Sequence, residues 1–139
     1  MFDVIKGDLE ILEQGLQEAV TSTNELVTEV GMHLVTSGGK RIRPALCLLS
    51  ARGGKAFDLP HVLPLAEALE LIHTASLVHD DVIDEADTRR GAATANARWN
   101  NQVAILSGDY IFARAFALLA EAGYGDYVSK RLAELVCNL

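Results

Sequence analysis

Cysteine is scarce in this chain of 139 residues: Cys47 and Cys137 are the only two. Neither has a second cysteine or a histidine nearby at metal-ligand spacing, so neither a disulfide framework nor a thiolate metal site is indicated. Each sits in an apolar helical context, Ala45-Leu46-Cys47-Leu48-Leu49 and Leu135-Val136-Cys137, and reads as a small core residue. Apolar residues make up 50% of the sequence, yet they are spread along it. No run is long enough to span a bilayer, so no transmembrane segment is expected. No charged-then-apolar leader opens the sequence, which leaves a secretory route unsupported and points to the cytoplasm. A basic excess is lacking too: the formal net charge of −7 argues against a nucleic-acid surface. No stretch rich in Pro, Gly or Ser divides the chain, and neither an internal repeat nor a convincing strand is present. Residues 1–139 therefore read as one all-α domain, or part of one.

What is present is helical periodicity almost throughout. Ile5, Leu9, Leu12 and Leu16 define a first amphipathic helix, and Leu26, Val27, Val30 and Leu34 a second. Ser37-Gly38-Gly39 ends the second, and Pro44 suits the first turn of a third that runs to about Arg52. Pro60 and Pro64 bracket the start of a fourth helix, expected to end near Asp84. Residues 87–91 read as a polar loop, followed by a short helix around Thr94 to Trp99. The segment from Gln102 to Ala122 is apolar nearly all round, the mark of a buried central helix. A last helix begins near Asp126, and Leu132, Leu135, Val136 and Leu139 keep its period to the final residue. The expectation is a chain cut off inside that helix.

The strongest chemical signal is the run His79-Asp80-Asp81-Val82-Ile83-Asp84. Residues four apart share a helix face, so Asp80 and Asp84 point the same way, with Ser76 and His73 on the same stripe. Asp81 lies about a quarter-turn round. Such a stripe cannot pack as an apolar face and should line a polar cavity. The carboxylates also crowd the negative end of the helix dipole. A hard divalent cation resolves that conflict, and Mg²⁺ typically sits between carboxylates and substrate phosphates. Two cationic clusters accompany the acidic one. Arg89 and Arg90 follow in the next loop, and arginine forks match phosphate oxygens. Lys40, Arg41 and Arg43 adjoin Gly38-Gly39 just before a helix N-terminus, where backbone N–H groups and positive charge attract anions. Together the clusters describe a site for two anionic groups, one held through metal and one through direct cationic contact.

A competing motif is Glu70-Leu71-Ile72-His73, the Glu-x-x-His of di-iron bundles. Such a site needs a second copy on another helix, and Glu29 and His33 are four apart rather than three. His33 and His61 have no supporting partners and read as ordinary packed or surface residues. His79 adjoins Asp80 but lies off the stripe. Asp109 either hydrogen-bonds within the core or faces the cavity.

In order and spacing, Gly38-Gly39-Lys40-Arg41-Ile42-Arg43-Pro44, Asp80-Asp81-Val82-Ile83-Asp84, Arg89-Arg90-Gly91 and Gly108-Asp109 resemble the trans-isoprenyl diphosphate synthases. The resemblance extends over essentially the whole chain and is nearest to the long-chain members. It implies an all-α bundle around a deep cavity, in which isopentenyl diphosphate and an allylic diphosphate are joined head to tail with Mg²⁺. It assigns Lys40, Arg43, His73 and Arg90 to isopentenyl diphosphate, Asp80 and Asp84 to Mg²⁺, and Arg89 to the allylic diphosphate, with Asp81 in the same catalytic motif. It also implies that residues just before the first aspartate-rich motif limit product length. Ala75 and Ser76 are small there, so a long polyprenyl product is expected. Family members carry a second aspartate-rich motif in their C-terminal half, whereas after Gly91 this chain has the isolated Asp109 and Asp126. The expectation is therefore the N-terminal part of a synthase domain, weakly active or inactive alone. It would work as a homodimer or with another prenyl synthase chain. The alternatives are a non-catalytic diphosphate-binding subunit and a plain helical interaction module.

Overall fold

The computed structural model describes residues 3–138. Among them a 3-10 turn, Asp3–Ile5, leads into seven α-helices: α1 (Lys6–Ala19), α2 (Glu25–Thr36), α3 (Ile42–Arg52), α4 (Leu59–Ile83), α5 (Ala95–Arg98), α6 (Asn101–Glu121) and α7 (Asp126–Cys137). The all-α reading holds, and Leu139 of the last expected helix lies outside the described residues. Three helices start where a side chain can accept an orphan N–H. Asn24, Thr94 and Asn100 accept from Val27, Ala97 and Val103, at 3.3, 3.3 and 2.9 Å. α4 begins at Leu59, so Pro60 sits in its first turn while Pro64 lies inside the helix rather than at its start.

α4 is the axis of the fold. α6 packs along it most extensively, and α3 and α1 cover other faces. The core joins Leu12 and Leu16 of α1, Leu48 of α3, Leu71 and Ile72 of α4, and Ile111 of α6, all essentially inaccessible. Arg52 donates to Asp8 at 2.8 and 2.9 Å, tying α3 to α1. By length and composition α6 could cross a membrane, contrary to the reading that no apolar run is long enough. It packs along α4, but only a third of its apolar stretch is buried and Ile105, Leu106 and Phe116 are exposed, so it is not the wholly buried central helix that the sequence predicts. Cys137 is exposed rather than in the core, because α7 buries only Leu132; Cys47 is half-buried, and burial raises its thiol pKa.

The loop expected at residues 87–91 is a small hairpin. β1 (Thr88–Arg89) pairs antiparallel with β2 (Ala92–Ala93), Thr88 opposite Ala93 and Arg89 opposite Ala92. Its two turn residues, Arg90 and Gly91, have φ of 52° and 82°. Two successive positive φ values are what a tight two-residue hairpin turn demands.

Candidate functional site

The carboxylates at the end of α4 divide into two kinds. Asp80 and Asp84 are exposed, one turn apart, with Asp84 N–H donating to Asp80 O at 2.8 Å. Asp81 turns inward and is 5% exposed. Its Oδ1 receives Arg89 Nε at 2.8 Å and Nη2 at 2.7 Å. That bond raises the Arg89 pKa above its usual value. The quarter-turn separating Asp81 from its neighbours is the angle that carries it into the core.

The polar cavity does not follow the expected stripe. Ser76 Oγ donates to His73 O at 2.8 Å, so that hydroxyl serves its own helix. A cavity of about 50 Å³ is lined instead by Glu70, His73, Thr74 and Asp81 of α4, facing His33 and Arg41 on one side and Arg89 and Arg90 on another. The polar wall is the stripe rotated toward α2 and the hairpin. Ala75 is fully buried in the core and Ser76 is half-buried; neither lines this cavity.

A second, more open cavity of about 460 Å³ brings Lys40, Arg43, His73 and Arg90 together, from a loop, α3, α4 and the hairpin turn. Its floor depends on backbone geometry. Gly38 has φ of 88°, and Arg41 is left-handed at 48°. Arg90 Nη1 donates to Gly38 O, clasping the hairpin turn to the glycine loop. A Cβ on Gly39 would stand 2.7 Å from Arg90 Nη1, so the absence of a side chain permits the clasp. Burial and then the positive charge of Arg43 lower the His73 pKa; Glu70 opposes them, and Arg90 and Arg89 add smaller lowering effects. His73 therefore faces this cavity as a neutral imidazole at pH 7, with one N–H to donate.

Two readings of the sequence change here. Arg41 is not part of the exposed cationic cluster. Its Nε and Nη2 lie 2.5 and 3.0 Å from Glu13, its Nη1 2.9 Å from Glu70, and Nη2 also reaches Val35 O at 2.5 Å. Glu70 is thereby a partner of arginine rather than half of a di-iron motif. His33 is not without partners either: it bonds Ala93 O and Arg98 and meets the Trp99 ring. His61 packs on the Tyr124 ring at 5.1 Å. Nothing in the run Lys40-Arg41-Ile42-Arg43 distinguishes the inward arginine. In the hairpin, Gly91 alone carries a turn signal, since arginine is not among the residues that favour the first left-handed turn position.

His79 and Asp109 resolve together. His79 Nε2 lies 3.2 Å from Ile105 O and 3.4 Å from Asp109 Oδ1. Asp109, with a 62% exposed side chain, is a surface partner of His79 rather than a core or cavity group.

As a metal site, the described residues hold no group of three His, Cys, Asp or Glu side chains that could cage an ion. Two carboxylates one turn apart fit Mg²⁺ all the same. That ion usually takes one or two carboxylates and fills its remaining positions with water and substrate phosphate.

This fold has counterparts. The family described as polyprenyl synthetase matches residues 24–139, and the chain belongs to it. It is 50% identical to heptaprenyl diphosphate synthase component 2 of Geobacillus stearothermophilus, over 88% of this chain and 38% of that protein. It is 49% identical to the geranyl-diphosphate-specific all-trans-nonaprenyl-diphosphate synthase of Rhodobacter capsulatus, over 84% and 36%. Among solved structures, it matches the polyprenyl synthase of Caulobacter crescentus CB15 complexed with calcium and isoprenyl diphosphate. The TM-score is 0.90 at 34% identity, over 96% of this chain and 40% of that one. The chain thus spans well under half the length of the relatives it matches.

Proposed function

We propose that this chain forms the diphosphate-holding part of a trans-polyprenyl diphosphate synthase, which condenses isopentenyl diphosphate with an allylic diphosphate to a long-chain product. The observation that carries this reading is the convergence of Lys40, Arg43, His73 and Arg90 on one cavity, which shares His73 and Arg90 with the smaller cavity that reaches Asp81. In this reading those four groups bind isopentenyl diphosphate: three as cations, and neutral His73 as a single N–H donor. Arg89, fixed through Asp81, meets the allylic diphosphate with the Nη1 that bears no hydrogen bond among the described residues. Asp80 and Asp84 would hold Mg²⁺; when bound, the metal supplies positive charge that stabilises a departing diphosphate. Preorganised cations do the same where negative charge develops. The small side chains of Ala75 and Ser76, and the heptaprenyl and nonaprenyl names of the two relatives, support a long product. The enzyme would act in the cytoplasm, as a homodimer or with another prenyl synthase chain.

A second reading, a diphosphate-binding subunit dependent on a partner chain, is favoured by the component 2 in the name of the Geobacillus relative. Equilibrium binding of an allylic diphosphate, with and without Mg²⁺, tests what the two readings share. Binding should require the metal. Lys40→Ala and Arg90→Ala should each weaken isopentenyl diphosphate binding about tenfold, as lost charged hydrogen bonds do. Absence of any magnesium-dependent binding would refute both readings. Turnover of isopentenyl diphosphate by a full-length form, without a second chain, separates the enzyme from the subunit.

A further inference from the structure

His33 lies on α2 and lines the smaller cavity, but carries no assigned ligand role. Both of its ring nitrogens are engaged. Nε2 is 2.8 Å from Ala93 O, which can only accept, so Nε2 carries the proton. Nδ1 is then the acceptor for Arg98 Nη1 at 3.2 Å. Arg98 is held in turn by Glu29 Oε1 at 3.4 Å and lies 4.7 Å from the centre of the Trp99 ring. Trp99 meets the His33 ring edge-on at 5.4 Å. One imidazole therefore joins α2, the hairpin and α5.

The carbonyl that His33 grips belongs to β2, and β2 pairs with β1, which ends in Arg89 and leads directly into Arg90 of the turn. A ladder of two residues per strand has little stability of its own. Its geometry is imposed from outside. Arg89 is tied to Asp81, Arg90 to Gly38 O, and the base is fixed by Thr94 Oγ1 and Asn96 Nδ2, both donating to Ala86 O. The His33–Ala93 bond is the tie to α2.

We infer that His33 is a positioning residue: by holding Ala93 O it sets the β1–β2 ladder, and through the ladder it aims Arg89 and Arg90 at the diphosphates. It acts through β2 rather than by touching a ligand. The inference rests on the diphosphate-binding reading for what the arginines meet, and on the hairpin alone for how they are held.

The test compares His33→Ala, His33→Gln and His33→Asn in the 139-residue chain. Glutamine can extend an N–H to roughly where Nε2 stands. Asparagine offers an acceptor near Nδ1 but is too short to reach Ala93 O. Two quantities are read: affinity for inorganic pyrophosphate with Mg²⁺, and amide hydrogen exchange in the hairpin against that in α4. Alanine and asparagine should weaken pyrophosphate binding about tenfold, the worth of one lost aligning hydrogen bond. They should also speed exchange in the hairpin while α4 stays protected, and glutamine should restore both. Wild-type affinity and hairpin protection in His33→Ala would overturn the inference, as would rescue by asparagine in place of glutamine. Should His33→Ala fail to fold, the glutamine and asparagine variants decide. If the wild-type chain binds no pyrophosphate, the diphosphate reading fails, and the positioning role stands or falls on hairpin exchange alone.

Discussion

Arg41 donates from Nη1 to Glu70 Oε1 across 2.9 Å, with the two side chains 10% and 6% exposed. An arginine in a run of basic residues thus turns into the protein while Lys40 and Arg43 stay outside. The left-handed backbone at Arg41 makes this possible, a conformation that costs an L-residue about 1–2 kcal/mol. Glu13 of α1, Val35 O of α2 and Glu70 of α4 all meet the one guanidinium. The glycine loop that displays Lys40, and the start of α3 that carries Arg43, are therefore pinned from beneath by the residue that joins them. Local strain is offset by an ion-pair network, a pattern common where a site must be preorganised.

Arg41→Ala should accordingly be among the most damaging substitutions in the chain. It leaves Glu70 buried and unpaired, which typically costs about 3–5 kcal/mol. The urea midpoint should fall by that loss divided by the m-value, at unchanged slope. Arg41→Lys should recover little, since one ammonium cannot serve Glu13 and Glu70 together. Adding Glu70→Gln to Arg41→Ala should recover part of the loss, because it removes the uncompensated charge. Full stability in Arg41→Ala would show that the network contributes nothing.

Gly39→Ala should separate binding from folding. The new methyl would meet only the far end of the Arg90 side chain, and of Arg41 at 3.2 Å, rather than backbone. Arg90 can move aside, so the melting temperature should change little. Its clasp on Gly38 O would open, and pyrophosphate affinity should fall about tenfold, the worth of a charged hydrogen bond. Calorimetric titration of variant and wild type measures this directly. Unchanged affinity would mean that the clasp does not orient Arg90 for a ligand.

Much of this architecture was legible because periodic signals are local. The helices fell where apolar spacing and Pro or Gly punctuation put them, and the two basic clusters do meet α4. What escaped is what depends on a partner distant in sequence. No feature of Lys40-Arg41-Ile42-Arg43 reveals which arginine has Glu13 and Glu70 beneath it, 28 and 29 positions away. His33 looked unsupported because its partners, Ala93 and Arg98, lie 60 and 65 residues on. The cavity wall was misjudged by one helical step. Spacing fixes which residues share a stripe, but only packing decides which stripe faces inward.

Glu67 predicts a pH dependence of stability. It is 6% exposed on α4, close enough to Gly15 that a Cβ there would stand 1.8 Å from its Oε1. Burial, and then the negative charge of Glu18, push its pKa up to about 7. Raised above the unfolded value, this carboxyl is fully compatible with the fold below about pH 4.5. Stability is then lost as pH rises through about 7, since the folded chain must bury a charge. Glu67→Gln should match wild type near pH 4 and exceed it at pH 8 by about 1–3 kcal/mol, the usual cost of an unsatisfied buried polar group. Urea titrations at the two pH values give the difference. A constant offset, or a wild type favoured at pH 8, would assign Glu67 a partner and a stabilising charge.

Product length offers the sharpest test of the small residues before Asp80. In an active full-length form, Ala75→Phe should shorten the polyprenyl product, read by chromatography after dephosphorylation. The structure adds a complication: Ala75 is fully buried in the core, so a phenyl ring there overpacks it at about 1–3 kcal/mol. Ser76 is the cleaner probe. It is half-buried, its hydroxyl bonds only its own helix, and it stands one turn before Asp80 on the same stripe. Ser76→Phe should shorten the product with little loss of melting temperature. Shortening by Ser76→Phe alone would put the growing chain along the Asp80 face of α4. Shortening by Ala75→Phe alone, with a matching loss of stability, would mean that the ring has disrupted the core around α4 rather than closed a channel. An unchanged product distribution in both variants would remove these two positions from any account of chain length.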